Sequence, residues 1–216
     1  MLNKNIHQSE IMLKAAQSTD AVGNFIRVAN IIANLDIILT EAKNLSLTAK
    51  NARVVALRAG DSAFGFKPIT NFIDEFSDQT IKTTAEITTL SNQLFTLALA
   101  VVRCSNFINH IQKAKSASSD KTLDSLLSAG CDDLIVKSKA LEHAIFNLES
   151  YFEDIQKQMR SAEYIAVTSR VEASNAGDFS ESLQGVSDFI ASAAKRIKAA
   201  VTDNLSEISK LRGVMR

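Results

Sequence analysis

The residues that could catalyse a reaction or hold a metal ion are few and widely separated in this chain of 216 residues. His7, His110 and His143 lie far apart, and none has a Cys or carboxylate partner at the spacing of a metal ligand set. The acid pairs at 74–75 and 132–133 have no partner base, and no glycine-rich phosphate loop follows a strand. The sequence therefore predicts a protein that is not an enzyme and that needs no cofactor or metal.

The two cysteines, Cys104 and Cys131, are equally far from the polar stretch 116–119. If the flanking segments pack as antiparallel helices, both thiols lie in the same layer. One interpretation is a pair of small buried side chains, and the other is a redox pair. Two cysteines do not make a disulfide framework, and cytosolic thiols are normally kept reduced, which favours the first interpretation.

The composition is typical of a largely helical protein. The chain has one Pro, seven Gly, no Trp and 46% hydrophobic residues, and its formal net charge is zero. Zero net charge gives no general argument for binding nucleic acid or an anionic membrane. The apolar runs are shorter than the ~18 residues of a membrane span, and MLNKNIHQSE has no apolar signal-peptide core. We therefore expect a cytoplasmic protein without a membrane span.

Apolar and small residues recur every three and four positions along most of the chain, and we call these the seam positions. The pattern is that of coiled-coil helices. It occurs twice, because residues 35–73 match residues 152–190 at a constant offset of 117. Both copies carry Ala-Gly-Asp, at 59–61 and 176–178, between two seams. A constant offset through two seams and a turn indicates an internal duplication.

Each copy predicts a helical hairpin. Gly60 and Gly65 can end a helix and reverse the chain, and Pro68 fits the first turn of the returning helix. Asp120 is a candidate cap for the third helix. The predicted fold is all-α, a long antiparallel four-helix bundle or coiled coil made of two tandem hairpins. The single bundle would span 1–216, with hairpin one at about 1–115 (turn 60–65) and hairpin two at about 120–216 (turn 177–181).

The residues at the two reversals resemble the hairpin tip of bacterial methyl-accepting chemotaxis receptors. The first copy reads NARVVALRAGD at 51–61, followed by Gly65-Phe66, and the second copy, RVEASNAGD at 170–178, is a weaker version. The family pattern is roughly Asn-Ala-Ala-Ile-Glu-Ala-Ala-Arg-Ala-Gly-Glu, then Gly-Arg-Gly-Phe. The specific motif covers about twenty residues in each copy, and the seams around it are compatible across most of the chain.

The resemblance implies a bacterial signal-transduction or scaffold protein that acts by protein–protein binding through its tips. In that family, two receptor chains each give one hairpin, and the tip contacts a coupling protein and a histidine kinase. This chain would be similar to a covalently joined dimer, either a monomeric pseudo-dimer or a homodimer. The residues predicted to bind a partner are Asn51, Val55, Arg58, Asp61, Phe64, Phe66, Glu172 and Asp178.

Several charged positions of the family pattern are apolar here. Val55 stands where the family has Glu, Phe64 where it has Arg, and Phe72 where it has Glu. Phe72 has two alternatives, a place in the core or a place in an apolar patch for another partner.

Two further hypotheses follow for the function of the chain. One is a structural bundle that has lost kinase coupling and binds an unrelated protein, and the other is a lipid-binding bundle. The narrow seams favour a coiled coil over the wide apolar faces of lipid-binding helices.

Overall fold

The computed structural model describes residues 21–117 and 120–215, with the side chains of 21, 22, 24, 25, 214 and 215 excepted. Four α-helices account for nearly all of this part of the chain: α1 (Ala21–Ala59), α2 (Phe66–Ala117), α3 (Thr122–Ser174) and α4 (Ser180–Met215). Short 3₁₀ turns at Gly60–Ala63 and Gly177–Phe179 join α1 to α2 and α3 to α4. His7 and the first twenty residues of the predicted hairpin one lie outside the described residues.

The four helices pack against one another without strands in the described chain, so the prediction of an all-α helical bundle is confirmed. Their contacts form two compact units, each built from a segment of every helix. The base unit contains residues 21–31, 90–117, 120–148 and 206–215, and the tip unit contains residues 32–89 and 149–205. That all of 1–216 forms one bundle stays a prediction.

The seams of α1 and α3 form the core as the spacing predicts. Seven of these positions on α1 are at most 5% exposed: Leu35, Ile38, Ala42, Leu45, Ala49, Ala52 and Ala56. Their partners at the offset of 117 are at most 2% exposed: Phe152, Ile155, Met159, Ala162, Ala166, Ser169 and Ala173. Burial of these side chains removes apolar area from water, which is the main favourable term in folding. The duplicated pattern therefore corresponds to a duplicated core.

The core face of α2 differs from the expected one. The spacing predicted Phe76, Thr83, Leu90 and Leu97 as seam residues, yet these four are only half-buried, and their neighbours Ser77, Thr84, Ser91 and Ala98 are buried. The hydroxyl of Ser77 donates to the Ile73 carbonyl at 2.6 Å, and that of Thr84 donates to the Thr80 carbonyl at 2.7 Å. Because the Ser77 and Thr84 hydroxyls are satisfied within the helix, small polar residues can be buried at these two positions. The buried Ser91 hydroxyl has no hydrogen-bond partner among the described residues.

The connection between the hairpins has the predicted cap. An Asp120 carboxylate oxygen accepts a hydrogen bond from the backbone N–H of Thr122, the first residue of α3, at 2.9 Å. That hydrogen bond lowers the pKa of Asp120, because it favours the ionised carboxylate. The side chain therefore satisfies one of the N–H groups that a helix start leaves free.

One described helix, α2, is long and apolar enough to cross a membrane by length and composition alone. The short apolar runs of the sequence did not predict this. Its most apolar window has a mean hydropathy of 1.4, and 33% of that window is buried within the fold. A single helix of this kind is weak evidence for a membrane span, since a core helix of a bundle has the same length and composition.

Candidate functional site

In both hairpins the chain reverses through a glycine with the same backbone conformation. Gly60 has a φ of 58° and Gly177 a φ of 55°, and each begins a 3₁₀ turn that leads into the returning helix. Among the described residues these are the positions with positive φ. Only glycine adopts this conformation without a steric penalty. We call residues 47–72 and 164–189, which contain the two reversals, the hairpin tips.

The two tips are held by equivalent polar contacts. The Arg53 guanidinium donates to the Asn71 side-chain oxygen at 2.8 Å, and the Arg170 guanidinium donates to Asp188 at 2.5 Å. Each residue of the first pair maps onto its counterpart by the offset of 117. Arg53 also lies 3.5 Å from Asp74, whose carboxylate accepts a hydrogen bond from Ser46 at 3.0 Å. These bonds fix the helices that leave each reversal, so the tip surfaces are pre-organised.

Most of the predicted partner-binding residues lie at the surface of the tip unit. Asn51, Arg58, Asp61, Phe64 and Asp178 are exposed, and Val55 and Glu172 are half-buried. Phe64 is 76% exposed, an unusual position for a phenylalanine ring.

The prediction for Phe66 is wrong. Its side chain is fully buried, as is that of its counterpart Leu183. Phe66 is the first residue of α2, and it points into the core because that helix must bury its apolar face from its first turn. This ring therefore packs the core beneath the tip and is not available to a partner.

Phe72 lies on the surface, so of its two alternatives the structure places it outside the core. Its side chain is 57% exposed, and it borders a cavity of about 240 Å³ between the start of α2 and the last turns of α3. We call this the tip cavity. It is lined by Gly65, Pro68, Ile69, Phe72, Tyr164, Ile165, Thr168 and Glu172.

Glu172 closes one end of the tip cavity and lies directly over Gly65. A Cβ atom at position 65 would be only 2.0 Å from a Glu172 carboxylate oxygen, so a side chain there would displace this carboxylate, which is the far end of a flexible side chain. Among the described residues, no side chain or backbone group forms an ion pair or hydrogen bond with the Glu172 carboxylate. A half-buried, unpaired carboxylate thus faces a mostly apolar cavity.

Sequence reasoning missed the outward apolar stripe of α3, formed by Tyr164, Val167 and Val171. All three are more than half exposed, with Tyr164 at 75%. Leu47 and Val54 on α1, the counterparts of Tyr164 and Val171, are exposed as well. The offset of 117 could have revealed these positions, because a large apolar residue recurs outside the seam in both copies.

The cysteines lie in the base unit, and Cys104 is the more buried of the two. Its thiol donates to an Asp133 carboxylate oxygen at 3.0 Å, and Asp133 also pairs with Lys137. Burial, together with that hydrogen bond, raises the pKa of Cys104 to about 11, and burial also raises the pKa of Cys131. Both thiols are free, and the protonated form of Cys104 is a poor nucleophile.

Within residues 21–117 and 120–215, no group of three or more His, Cys, Asp or Glu side chains could hold a metal ion. No family model, curated protein or solved structure matches the chain.

Proposed function

We propose that this chain is a non-enzymatic signal-transduction or scaffold protein that binds another protein through its hairpin tips. Its build would be similar to the cytoplasmic signalling domain of methyl-accepting chemotaxis receptors. The observation that carries the proposal is the set of exposed apolar side chains in the tip unit, which includes Phe64, Phe72, Tyr164, Val167 and Val171. Phe72 and Tyr164 line the same cavity, and continuous apolar surfaces of this kind mark interaction sites.

The rigid frame beneath these side chains supports a binding role. Both reversals are short 3₁₀ turns, and Arg53 and Arg170 fix the helices that leave them. A surface that is ordered before the partner arrives loses less conformational entropy on binding. The tips therefore combine exposed anchors with a fixed backbone, the arrangement found at the energetic centre of many protein interfaces.

Two classes of partner are compatible with this surface. The receptor resemblance favours a coupling protein or a receptor-type histidine kinase. The exposed rings of Phe64 and Phe72, at positions where the receptor pattern has charged residues, favour an unrelated partner with a more apolar face. In that second candidate function the chain is a structural bundle that has lost kinase coupling.

The test measures the affinity of the purified chain for a coupling protein and for a receptor-type histidine kinase from the same organism. We expect binding to one of them, weakened about tenfold or more by Phe64→Ala, because exposed aromatic anchors carry much of the energy of an interface. The matched control is Phe146→Ala, which removes another exposed ring (62%, against 76% for Phe64) from the base unit.

The controls decide between the two partner classes. Equal losses for Phe64→Ala and Phe146→Ala would mean that the tip is not the binding surface. Absence of binding to either protein would reject kinase coupling and leave the unrelated partner. For that partner, restoring charge with Val55→Glu and Phe64→Arg should leave its affinity unchanged or lower it.

A further inference from the structure

The tip cavity has the size of a site for one side chain. Its volume of about 240 Å³ lies below the ~300 Å³ at which sites for small molecules begin. Ile69 and Ile165 contribute apolar lining, and the exposed rings of Phe72 and Tyr164 contribute aromatic lining. A long side chain projecting from a partner protein can therefore enter between α2 and α3.

The charge of the cavity selects the kind of side chain. Glu172 is the only charged residue among the lining residues, and its carboxylate has no partner among the described residues. An apolar side chain that covered the cavity would take this carboxylate out of water without compensation, which is strongly unfavourable. A cation that entered the cavity would pair with it.

The aromatic lining favours arginine among the cations. A guanidinium group is planar, stacks on aromatic faces and forms two parallel hydrogen bonds to one carboxylate. We propose that the tip cavity binds an arginine side chain of the partner protein, with its guanidinium paired with Glu172 and stacked on the rings of Phe72 and Tyr164. This inference rests on the proposed function, because it names the chemistry of the partner at the same tips.

The duplicated hairpin provides only one such site. At the offset of 117, Val55 takes the place of Glu172, Ser182 that of Gly65, and Leu47 that of Tyr164. The equivalent site, formed by the start of α4 and the end of α1, thus has no carboxylate in place of Glu172 and no glycine in place of Gly65. We therefore expect one arginine site per chain, although the fold repeats.

The experiment titrates the full chain with two synthetic helical peptides by calorimetry and NMR. Both peptides carry a leucine one helical turn on either side of the central residue, which is arginine in one and its neutral isostere citrulline in the other. We expect one arginine peptide per chain and at least tenfold weaker binding of citrulline. Glu172→Gln should remove the difference between the peptides, whereas the control Glu181→Gln, an exposed acid on α4, should preserve it.

Several outcomes would overturn the inference. Equal affinity for the two peptides would do so, as would an unchanged preference in Glu172→Gln, or no binding up to ~1 mM peptide. Circular dichroism on each variant controls for folding. A second variant tests the geometry, since Leu47→Tyr, Val55→Glu and Ser182→Gly together should raise the stoichiometry from one arginine peptide to two. A stoichiometry that stays at one would show that the cavity geometry proposed here does not determine binding.

The two proposals can fail separately. If the arginine peptide does not bind but Phe64→Ala still weakens binding to a protein partner, only the arginine site is wrong. If the peptides bind as expected while Phe64→Ala and Phe146→Ala affect every protein partner equally, the proposed tip function is wrong and the arginine site remains.

Discussion

At the scale of single residues, two polar groups in the core have consequences that can be measured. Cys104 in the base unit keeps its proton because it is buried and donates to Asp133. Asn204 in the tip unit is fully buried, and its amide NH₂ has no hydrogen-bond partner among the described residues, although its side-chain oxygen accepts from Asn34 at 3.0 Å. The Cys104 thiol determines how readily this cysteine is alkylated, and the Asn204 amide affects the free energy of unfolding.

We predict that Asp133→Asn accelerates alkylation of Cys104 by iodoacetamide at mildly alkaline pH. The substitution removes the negative charge that helps to raise the thiol pKa to about 11, and the amide NH₂ that it introduces can donate to a thiolate, so more thiolate forms. Site-resolved mass spectrometry gives the rate. Cys131 is an internal control, since the causes of its raised pKa, which are burial and Asp132, do not include Asp133. Equal rates at Cys104 with and without Asp133 would contradict the prediction.

The raised pKa of Cys104 also predicts that the free energy of unfolding decreases at alkaline pH. The folded-state pKa of Cys104 lies above its ordinary value of 9.0, so the folded chain holds this proton more tightly than the unfolded chain. The contribution of Cys104 to stability is therefore complete below pH 9 and is lost as the pH rises toward about 11. Denaturant midpoints across this range should fall less in Cys104→Ala than in the unchanged protein.

We predict that Asn204→Leu stabilises the chain. The change removes a buried amide with an unsatisfied N–H and adds apolar volume at a core position, while water can solvate the half-buried Asn34. A gain of about 1 kcal/mol should raise the melting temperature by about 2–4 °C in a protein of this size. A lower melting temperature would mean that the hydrogen bond from Asn34 contributes more than the unsatisfied group costs.

At the level of secondary structure, the two reversals can be mutated separately, and a comparison of the two variants tests whether the hairpins are equivalent. Gly60 and Gly177 have nearly the same positive φ, and a Cβ atom at either position would meet nothing within 4 Å. Any penalty for a side chain there must therefore come from the backbone conformation and not from a clash. Because the conformations match, the penalties should match as well.

We predict that Gly60→Ala and Gly177→Ala each reduce the free energy of unfolding by about 1–2 kcal/mol, the cost of a left-handed conformation for a residue with a Cβ. Denaturant titration measures it. The matched control is Gly185→Ala in the exposed face of α4, where a Cβ also meets nothing. That change should stabilise by about 0.5–1 kcal/mol, because alanine has the higher helix propensity. Unequal losses at the two reversals would argue that the hairpins are not equivalent.

At the scale of the whole molecule, the core and the tip surface should respond differently to mutation. Ile155 lies fully buried in the longest seam, whereas Phe64 is 76% exposed at the tip. We predict that Ile155→Asp unfolds the protein, since a buried unpaired charge costs more than about 4 kcal/mol. Phe64→Ala should leave the thermal melt nearly unchanged. A comparable loss of stability in Phe64→Ala would place that ring in the core and remove it from the binding surface.

We also predict that the chain is a monomer. Within the described residues, all four helices contribute buried side chains to the core without a second chain, so the bundle does not require a partner copy. Light scattering should give a mass of 23.5 kDa. Twice that mass would favour the homodimer.

The sequence by itself determined the four helices, the two reversals, the cap at Asp120 and the duplication, because each of these depends on local propensity and on a spacing that repeats along the chain. It placed the seams of α1 and α3 correctly for the same reason. Tertiary structure decided the rotation of α2, which buries Ser77 instead of Phe76, and the opposite fates of Phe66 and Phe72. It also brought Glu172 over Gly65. The rotation of a helix about its axis depends on the helices packed against it, and contacts between distant segments leave no periodic pattern in the sequence.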